Sequence, residues 1–432
     1  MSASTDADED RMDLSDEEAS SLSLRASKAF RPSAPISARS FFAGRWDQLL
    51  AVVDAVAQPG LHIVVFGERG VGKTSLANMI APTLSVFDDL SDDQGAEHLV
   101  IKVNVNSNDD FGLVWDRVFR EVSWDKEKPT IGFAPPAEKE LLTLHEALAI
   151  PSPPSIDDVK RVLKALPASV IILDEFDRIK RENQSLFTDL IKLLSDYSID
   201  STVVLVGVSE TVDDLVQDHA SIVRAVVQIP MPRMNKPELI DILGKASEAL
   251  DVVFEEKAME VVITVSQGLP HYTHLLGLNS VRAAAKQNTR RITEEIVQIA
   301  FDMSAQQALQ TIREKHLQAV HSARRDALYS QVAIACAVAS SSFVDALGFF
   351  HPSDVALSLA DVLGRPKVGI STFQRHLSEF CEPQRGPILK KFGQPRAYKY
   401  RFIDPLMPTY IFIQAVSCGL LKPNQLFSLT AR

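Results

Sequence analysis

Along the first half of the chain, short, mainly apolar runs alternate with stretches whose apolar residues recur every three or four positions. The runs at 61–66, 99–105, 170–173, 202–206 and 223–229 read as buried strands. The segments at 111–122, 157–166 and 185–194 read as helices, the first with Val114, Trp115, Val118 and Phe119 on one face. Strands alternating with helices predict a parallel sheet covered on both sides. A helix with Trp46, Leu49, Leu50, Val53 and Val56 on one side precedes the first strand and ends at Pro59-Gly60. Between the second and third strands lie a proline-bearing connector over 124–136, a helix over 139–148 and the break Pro151-Ser152-Pro153-Pro154.

From Arg233 the strand pattern stops. Helical spacing at 237–250, 255–266, 272–286 and 293–321 predicts a small bundle whose last helix is a long connector. Three further helices, at 326–340, 353–363 and 371–380, are followed by strand-like runs at 387–392 and 398–402 around Gly393-Gln394-Pro395-Arg396. Three helices and a hairpin in that order make a winged helix. Residues 1–30 are rich in Asp, Glu and Ser without apolar periodicity and read as disordered. The expected organisation is a disordered acidic tail at 1–37, an α/β core at 38–232, a helical unit at 233–322 and a winged helix at 323–432.

The turn after the first strand carries the densest chemistry. Gly67, Glu68, Arg69, Gly70, Val71, Gly72, Lys73, Thr74 and Ser75 form the pattern G-x-x-x-x-G-K-[ST] between a strand and a helix start. Glycines there let backbone N–H groups face an anion, and the following helix adds its positive end. Lys73 is expected on the β- and γ-phosphates of a nucleoside triphosphate and Thr74 on Mg²⁺. About a hundred residues on, the third strand ends in Asp174-Glu175. Paired acids at a buried strand end suit a second metal-side group, Asp174, and a general base, Glu175.

Composition then sharpens the picture. The chain has 432 residues and net charge −11. Eight acidic residues and one basic residue lie in 1–24, against 13 basic and seven acidic in 324–432. Only the C-terminal unit has the electrostatics of a polyanion-binding surface. Its candidates for double-stranded DNA are Arg375 on the third helix with Lys390, Lys391, Arg396, Lys399 and Arg401 on the hairpin; the interleaved aromatics are expected in the hairpin core. A protein-binding winged helix with a solvated basic face fits the same residues. No apolar run is long enough to span a membrane, and no secretory signal is present. Three scattered cysteines suggest reduced thiols in a cytoplasmic protein.

The stretches GERGVGKT, IILDEFD and VVLVGVSE resemble Walker A, Walker B and the sensor-1 strand of AAA+ ATPases, with 233–322 as the lid. With a C-terminal winged helix, the likeness is to the origin-recognition and replication-initiator branch and its bacterial relatives. The resemblance implies ATP or ADP held with Mg²⁺ between core and lid, slow hydrolysis, and side-by-side assembly of copies. It implies γ-phosphate sensing by Ser209, a trans-acting role for Arg224, and nucleotide contact by Arg45. His271 stands where the family usually has a lid arginine, so either it touches phosphate, Arg282 substitutes, or the function is absent. Asn106 reads as a switch for Glu175 or as a turn residue. Three functions follow as expectations: a DNA-associated ATPase, a STAND-like signalling or defence switch without direct DNA binding, and a protein that binds ATP structurally.

Overall fold

The computed structural model describes residues 13–36, 38–90, 98–127, 139–209, 222–322, 327–342, 348–394 and 397–430. The strands are β1 (His62–Gly67), β2 (Leu99–Asn104), β3 (Ser123–Glu127), β4 (Lys139–Thr143), β5 (Ser169–Asp174), β6 (Ser201–Val208), β7 (Val226–Pro230), β8 (Val253–Phe254), β9 (Arg291–Ile292), β10 (Leu389–Phe392) and β11 (Lys399–Phe402). β1, β2, β5, β6 and β7 form one sheet in the order β2-β5-β6-β1-β7, and each pairing is parallel. Val and Ile dominate these strands because their branched side chains suit a pleated surface buried on both sides.

The two-residue period divides the strands between two cores. Val64, Ile171, Leu173, Val203 and Leu205 face the helices Phe111–Glu121, Ile156–Ala165 and Ser185–Asp196. Ile63, Val65, Val170, Ile172, Val204 and Val206 face the other way, toward the helices Trp46–Val56 and Lys73–Leu90. The parallel strands therefore send their C-terminal ends to one edge. There β1 releases the glycine loop and β5 releases Asp174-Glu175.

Four expectations change. Part of the supposed disordered tail, Asp16–Ala29, is a helix whose Leu22, Ala26 and Ala29 are buried. Ser15 starts it by a capping box with Glu18. Phe30, 1 % exposed, packs on the lid helix Pro270–Lys286, where a Cβ on Gly277 would come within 2.4 Å of its ring. A thin stripe of small apolar residues suffices because the partner is a flat, glycine-marked helix. Residues 1–12 lie outside the described residues.

The expected helix at 139–148 is mostly strand: β4 pairs antiparallel with β3, and only Leu144–Ala147 is helical, started by the Thr143–Glu146 capping box. Backbone pairing with β3 overrides the helical spacing. The long connector breaks at Ala308-Leu309 into Glu294–Gln307 and Gln310–Val320, which frees Leu309 to reach the cleft described below. On the helix Trp46–Val56, Leu49, Val53 and Val56 are buried as expected and Val52 and Ala55 join them, while Trp46 and Leu50 are half-exposed.

The C-terminal helices appear as Tyr329–Ser342, Pro352–Val362 and Gln374–Glu379, followed by the β10-β11 hairpin. Two helices beyond the expected elements close the chain, Met407–Ser417 and Pro423–Thr430. The first is buried along nearly its whole length, between Glu294–Gln307 and Tyr329–Ser342. Lid and C-terminal unit consequently share one continuous apolar core.

Candidate functional site

A cleft of about 700 Å³ opens between sheet edge and lid. Gly70, Gly72, Lys73, Thr74 and Ser75 form its floor, with Asp174, Glu175 and Asp177 on one side and Pro270, His271 and His274 on the lid side. Its size suits a small-molecule ligand. Gly67 leaves β1 at φ +155°, and a Cβ there would lie 2.4 Å from the Met231 carbonyl oxygen. Only glycine lets the loop turn that close to the strand beside it. Val71 is fully buried and anchors the loop from beneath.

Lys73 folds back on the loop, its Nζ donating to the carbonyls of Gly67 at 2.9 Å and Glu68 at 2.7 Å. Burial pushes the ammonium down to about 8, against the upward pull of Asp177, Asp174 and Glu68. Glu68 turns its carboxylate to Arg233 at 2.9 Å. Thr74 Oγ1 donates to Asp174 Oδ1 at 3.4 Å, so the two expected metal-side residues meet. Asp174 Oδ2 is buried with no aligned hydrogen bond, and the Lys102 Nζ lies 3.0 Å from it. A buried carboxylate oxygen beside a threonine hydroxyl is an oxygen donor set that a hard divalent cation takes, so these residues fit Mg²⁺.

Glu175 holds φ +60° and lines the cleft, its carboxylate 3.2 Å from Arg178, another lining residue. Asn106 is exposed and belongs instead to a neighbouring depression with Lys102, Asn104, Arg117 and Glu121. Its N–H donates to Asp109 at 2.7 Å, which is the turn role. β6 ends alongside β1, with Val208 opposite Gly67. Ser209 follows at once, although the lining includes Gly207 and Val208 rather than Ser209. Arg224 is exposed in the turn before β7, away from the cleft.

Arg45 departs from its expected role. It borders the cleft but is 3 % exposed, bonds the Pro232 carbonyl and lies 3.8 Å from Glu238. Its guanidinium ties the segment before the core to the lid, while its Nε is buried without a hydrogen-bond partner. Arg282 donates to Ser27 on the N-terminal helix at 2.9 Å and does not line the cleft, so of the two lid candidates only His271 is in place. His271 Nδ1 lies 2.7 Å from the Pro32 carbonyl. Burial lowers its proton affinity, partly offset by that bond.

Several cleft residues carry no role expected from the sequence. Asp177 accepts from the Val208 N–H at 2.8 Å, binding the ends of β5 and β6 together. The segment 31–36 forms a wall, with the Ile36 N–H on Ser75 Oγ at 3.1 Å. Most unexpectedly, the C-terminal unit reaches the phosphate loop. Asp404 lies 3.5 Å from Arg69, a Cβ on Gly70 would come within 2.8 Å of Leu406, and Tyr272 donates to the Leu406 carbonyl at 2.8 Å.

On the hairpin, register sorts the basic residues. Lys390 pairs with Arg401 and Phe392 with Lys399, which places these four on one face. Phe392 is 57 % exposed there, not in the hairpin core as expected, because its register position faces outward. Lys399 and Arg401 lie 4.6 and 4.8 Å from the Phe349 ring centre. Lys391 stands opposite Tyr400 on the other face, with its ammonium over Tyr398 at 4.6 Å. Arg375 is exposed and bound to Glu379 at 2.6 Å, and Arg396 lies outside the described residues.

Residues 57–215 match the family model described as an AAA domain. Together with the parallel sheet, glycine loop and acidic strand end, this match gives the α/β core the P-loop AAA+ fold. Among solved structures the chain is similar to the ORC2 protein of Aeropyrum pernix in ADPNP-ADP complexes, at 13% identity over 94% of this chain and 98% of that one, TM-score 0.48. It is similar also to Cdc6p from Pyrobaculum aerophilum, at 15% identity over 92% and 98%, TM-score 0.44. A third is the Walker-type ATPase paby2304 of Pyrococcus abyssi, at 13% identity over 88% and 99%, TM-score 0.46. Likenesses this distant carry no function across. No curated protein sequence matches the chain.

Proposed function

We propose that this protein binds ATP with Mg²⁺ in the cleft, hydrolyses it slowly, and uses nucleotide state to control self-assembly and binding of double-stranded DNA through the C-terminal unit, read as a winged helix. The observation that carries the reading is the meeting of Lys73, Thr74 and Asp174 at one end of the cleft, with Glu175 beside them. Lys73 exchanges its two carbonyl acceptors for phosphate oxygens. Thr74 and Asp174 hold Mg²⁺, which when bound neutralises charge on the phosphates. Glu175, once released from Arg178, orients and deprotonates the attacking water. On this reading Arg224, exposed in the turn before β7, acts on a neighbouring copy, and Ser209, directly after β6, follows the γ-phosphate.

The seat of Asp404 and Leu406 on the phosphate loop gives nucleotide a lever on the C-terminal unit. A loop that rearranges around phosphate must disturb that seat, and through the shared core the hairpin moves with it. The same contact favours a second reading, a switch held closed by ADP that opens to a protein trigger and binds no DNA.

Size-exclusion chromatography with ATP, ADP or neither, each with and without duplex DNA, separates the two. The first reading expects a larger species with ATP that co-elutes with DNA. A monomer that retains ADP and ignores DNA moves the assignment to the closed switch, and indifference to all nucleotides overturns both.

A further inference from the structure

A second cation already reaches the metal-side carboxylate, from outside the cleft. Lys102 stands on the edge strand β2, whose Asn104 is the register partner of Asp174. Two residues apart on one strand, Lys102 and Asn104 share a face, so Lys102 reaches Asp174 from the flank. Its Nζ is 3.0 Å from Asp174 Oδ2 and donates to Asn78 Oδ1 at 2.6 Å. Asn78 lies on the helix after the phosphate loop. Lys102 does not line the nucleotide cleft but the adjoining depression.

The two oxygens of Asp174 are treated differently. Oδ1 accepts from the Glu175 N–H at 2.9 Å and from Thr74 at 3.4 Å. Oδ2 has no aligned hydrogen bond, only the lysine charge beside it. A buried carboxylate needs a counter-charge, and here a lysine supplies one at the oxygen left open for a metal. A fixed positive charge a few Å away must also repel a divalent ion at that oxygen.

Resting on the nucleotide reading above, we propose that Lys102 is a positioning residue that acts as the resident counter-charge of Asp174. It holds the carboxylate in place before nucleotide arrives and weakens metal binding to the empty site. The divalent ion is then retained only when phosphates add negative charge. Asn78 keeps the ammonium at this station when the metal takes over Oδ2.

The test uses the full chain with Mn²⁺ as probe, counting free ion by electron paramagnetic resonance, with and without ADP. Wild type is expected to hold Mn²⁺ weakly alone and firmly with ADP. Lys102→Met should hold Mn²⁺ alone about tenfold more tightly than wild type, shrinking the effect of ADP. Lys102→Arg should restore wild-type behaviour, which a purely structural lysine would not couple to metal affinity. Lys102→Gln, which keeps a polar contact with Asn78, gives the same reading if the methionine variant does not fold. Unchanged or weaker Mn²⁺ affinity in a neutral variant that still binds ADP overturns the role of Lys102 and leaves the nucleotide site standing. A wild-type protein that binds neither ADP nor Mn²⁺ overturns both.

Discussion

Glu175 is held in a conformation that most residues avoid, φ +60°, directly after the buried Asp174. That geometry turns its carboxylate out of the strand and into the cleft, where Arg178 waits at 3.2 Å. The pair is half-exposed, so it contributes little to stability, and on the proposed function its effect is to orient the base. Glu175→Gln should leave ATP affinity within a few-fold of wild type and slow phosphate release by about 10²–10⁴. Unaltered turnover in that variant, followed by released inorganic phosphate, would remove Glu175 from the chemistry and favour structural ATP binding.

The element with the widest consequence is the N-terminal helix Asp16–Ala29. It sits on the lid through Phe30, and the segment after it walls the cleft. The start of the lid helix Pro270–Lys286 is thereby held twice, at His271 by the Pro32 carbonyl and at Tyr272 by the Leu406 carbonyl. Phe30→Ala removes a fully buried ring from a site that Gly277 exists to admit. It should cost about 3–5 kcal/mol of stability in denaturant titration. It should also weaken nucleotide affinity, because the wall at 31–36 loses its anchor. A variant with wild-type stability would mean that the helix docks without holding the lid.

At the scale of the whole molecule, the C-terminal unit is both a partner of the phosphate loop and the bearer of the basic hairpin face. If that face binds duplex DNA, Lys390, Lys399 and Arg401 act together and Lys391 does not share their side. Replacing the three with Ala should lower affinity at all sequences alike and reduce the salt slope by about one for each phosphate no longer neutralised. Lys391→Ala should bind nearly as wild type. Fluorescence anisotropy across a salt series checks both, and equal losses in the two variants would contradict the facial assignment. Among the described residues, no helix is long and apolar enough to cross a membrane.

What the chain order alone determined is what depends on neighbours in sequence. The apolar runs specify strands, the glycine loop specifies its own turn, and Asp174-Glu175 must emerge where their strand ends. Hence the parallel α/β core, the glycine loop between β1 and the helix Lys73–Leu90, and the Thr74–Asp174 meeting were legible from residue patterns. Tertiary structure decided whatever depends on a partner far along the chain. An acidic, serine-rich stretch became a helix because the lid offered it a face, and residues 139–143 became a strand because β3 offered hydrogen bonds. Arg45, at the cleft wall, gained Pro232 and Glu238 as partners. Lys102 and Leu406 carry no local signal at all; the register of β2 against β5 and the core shared by lid and C-terminal unit bring them to the site. Local pattern sets conformation over a few residues, whereas long-range packing sets which surfaces meet.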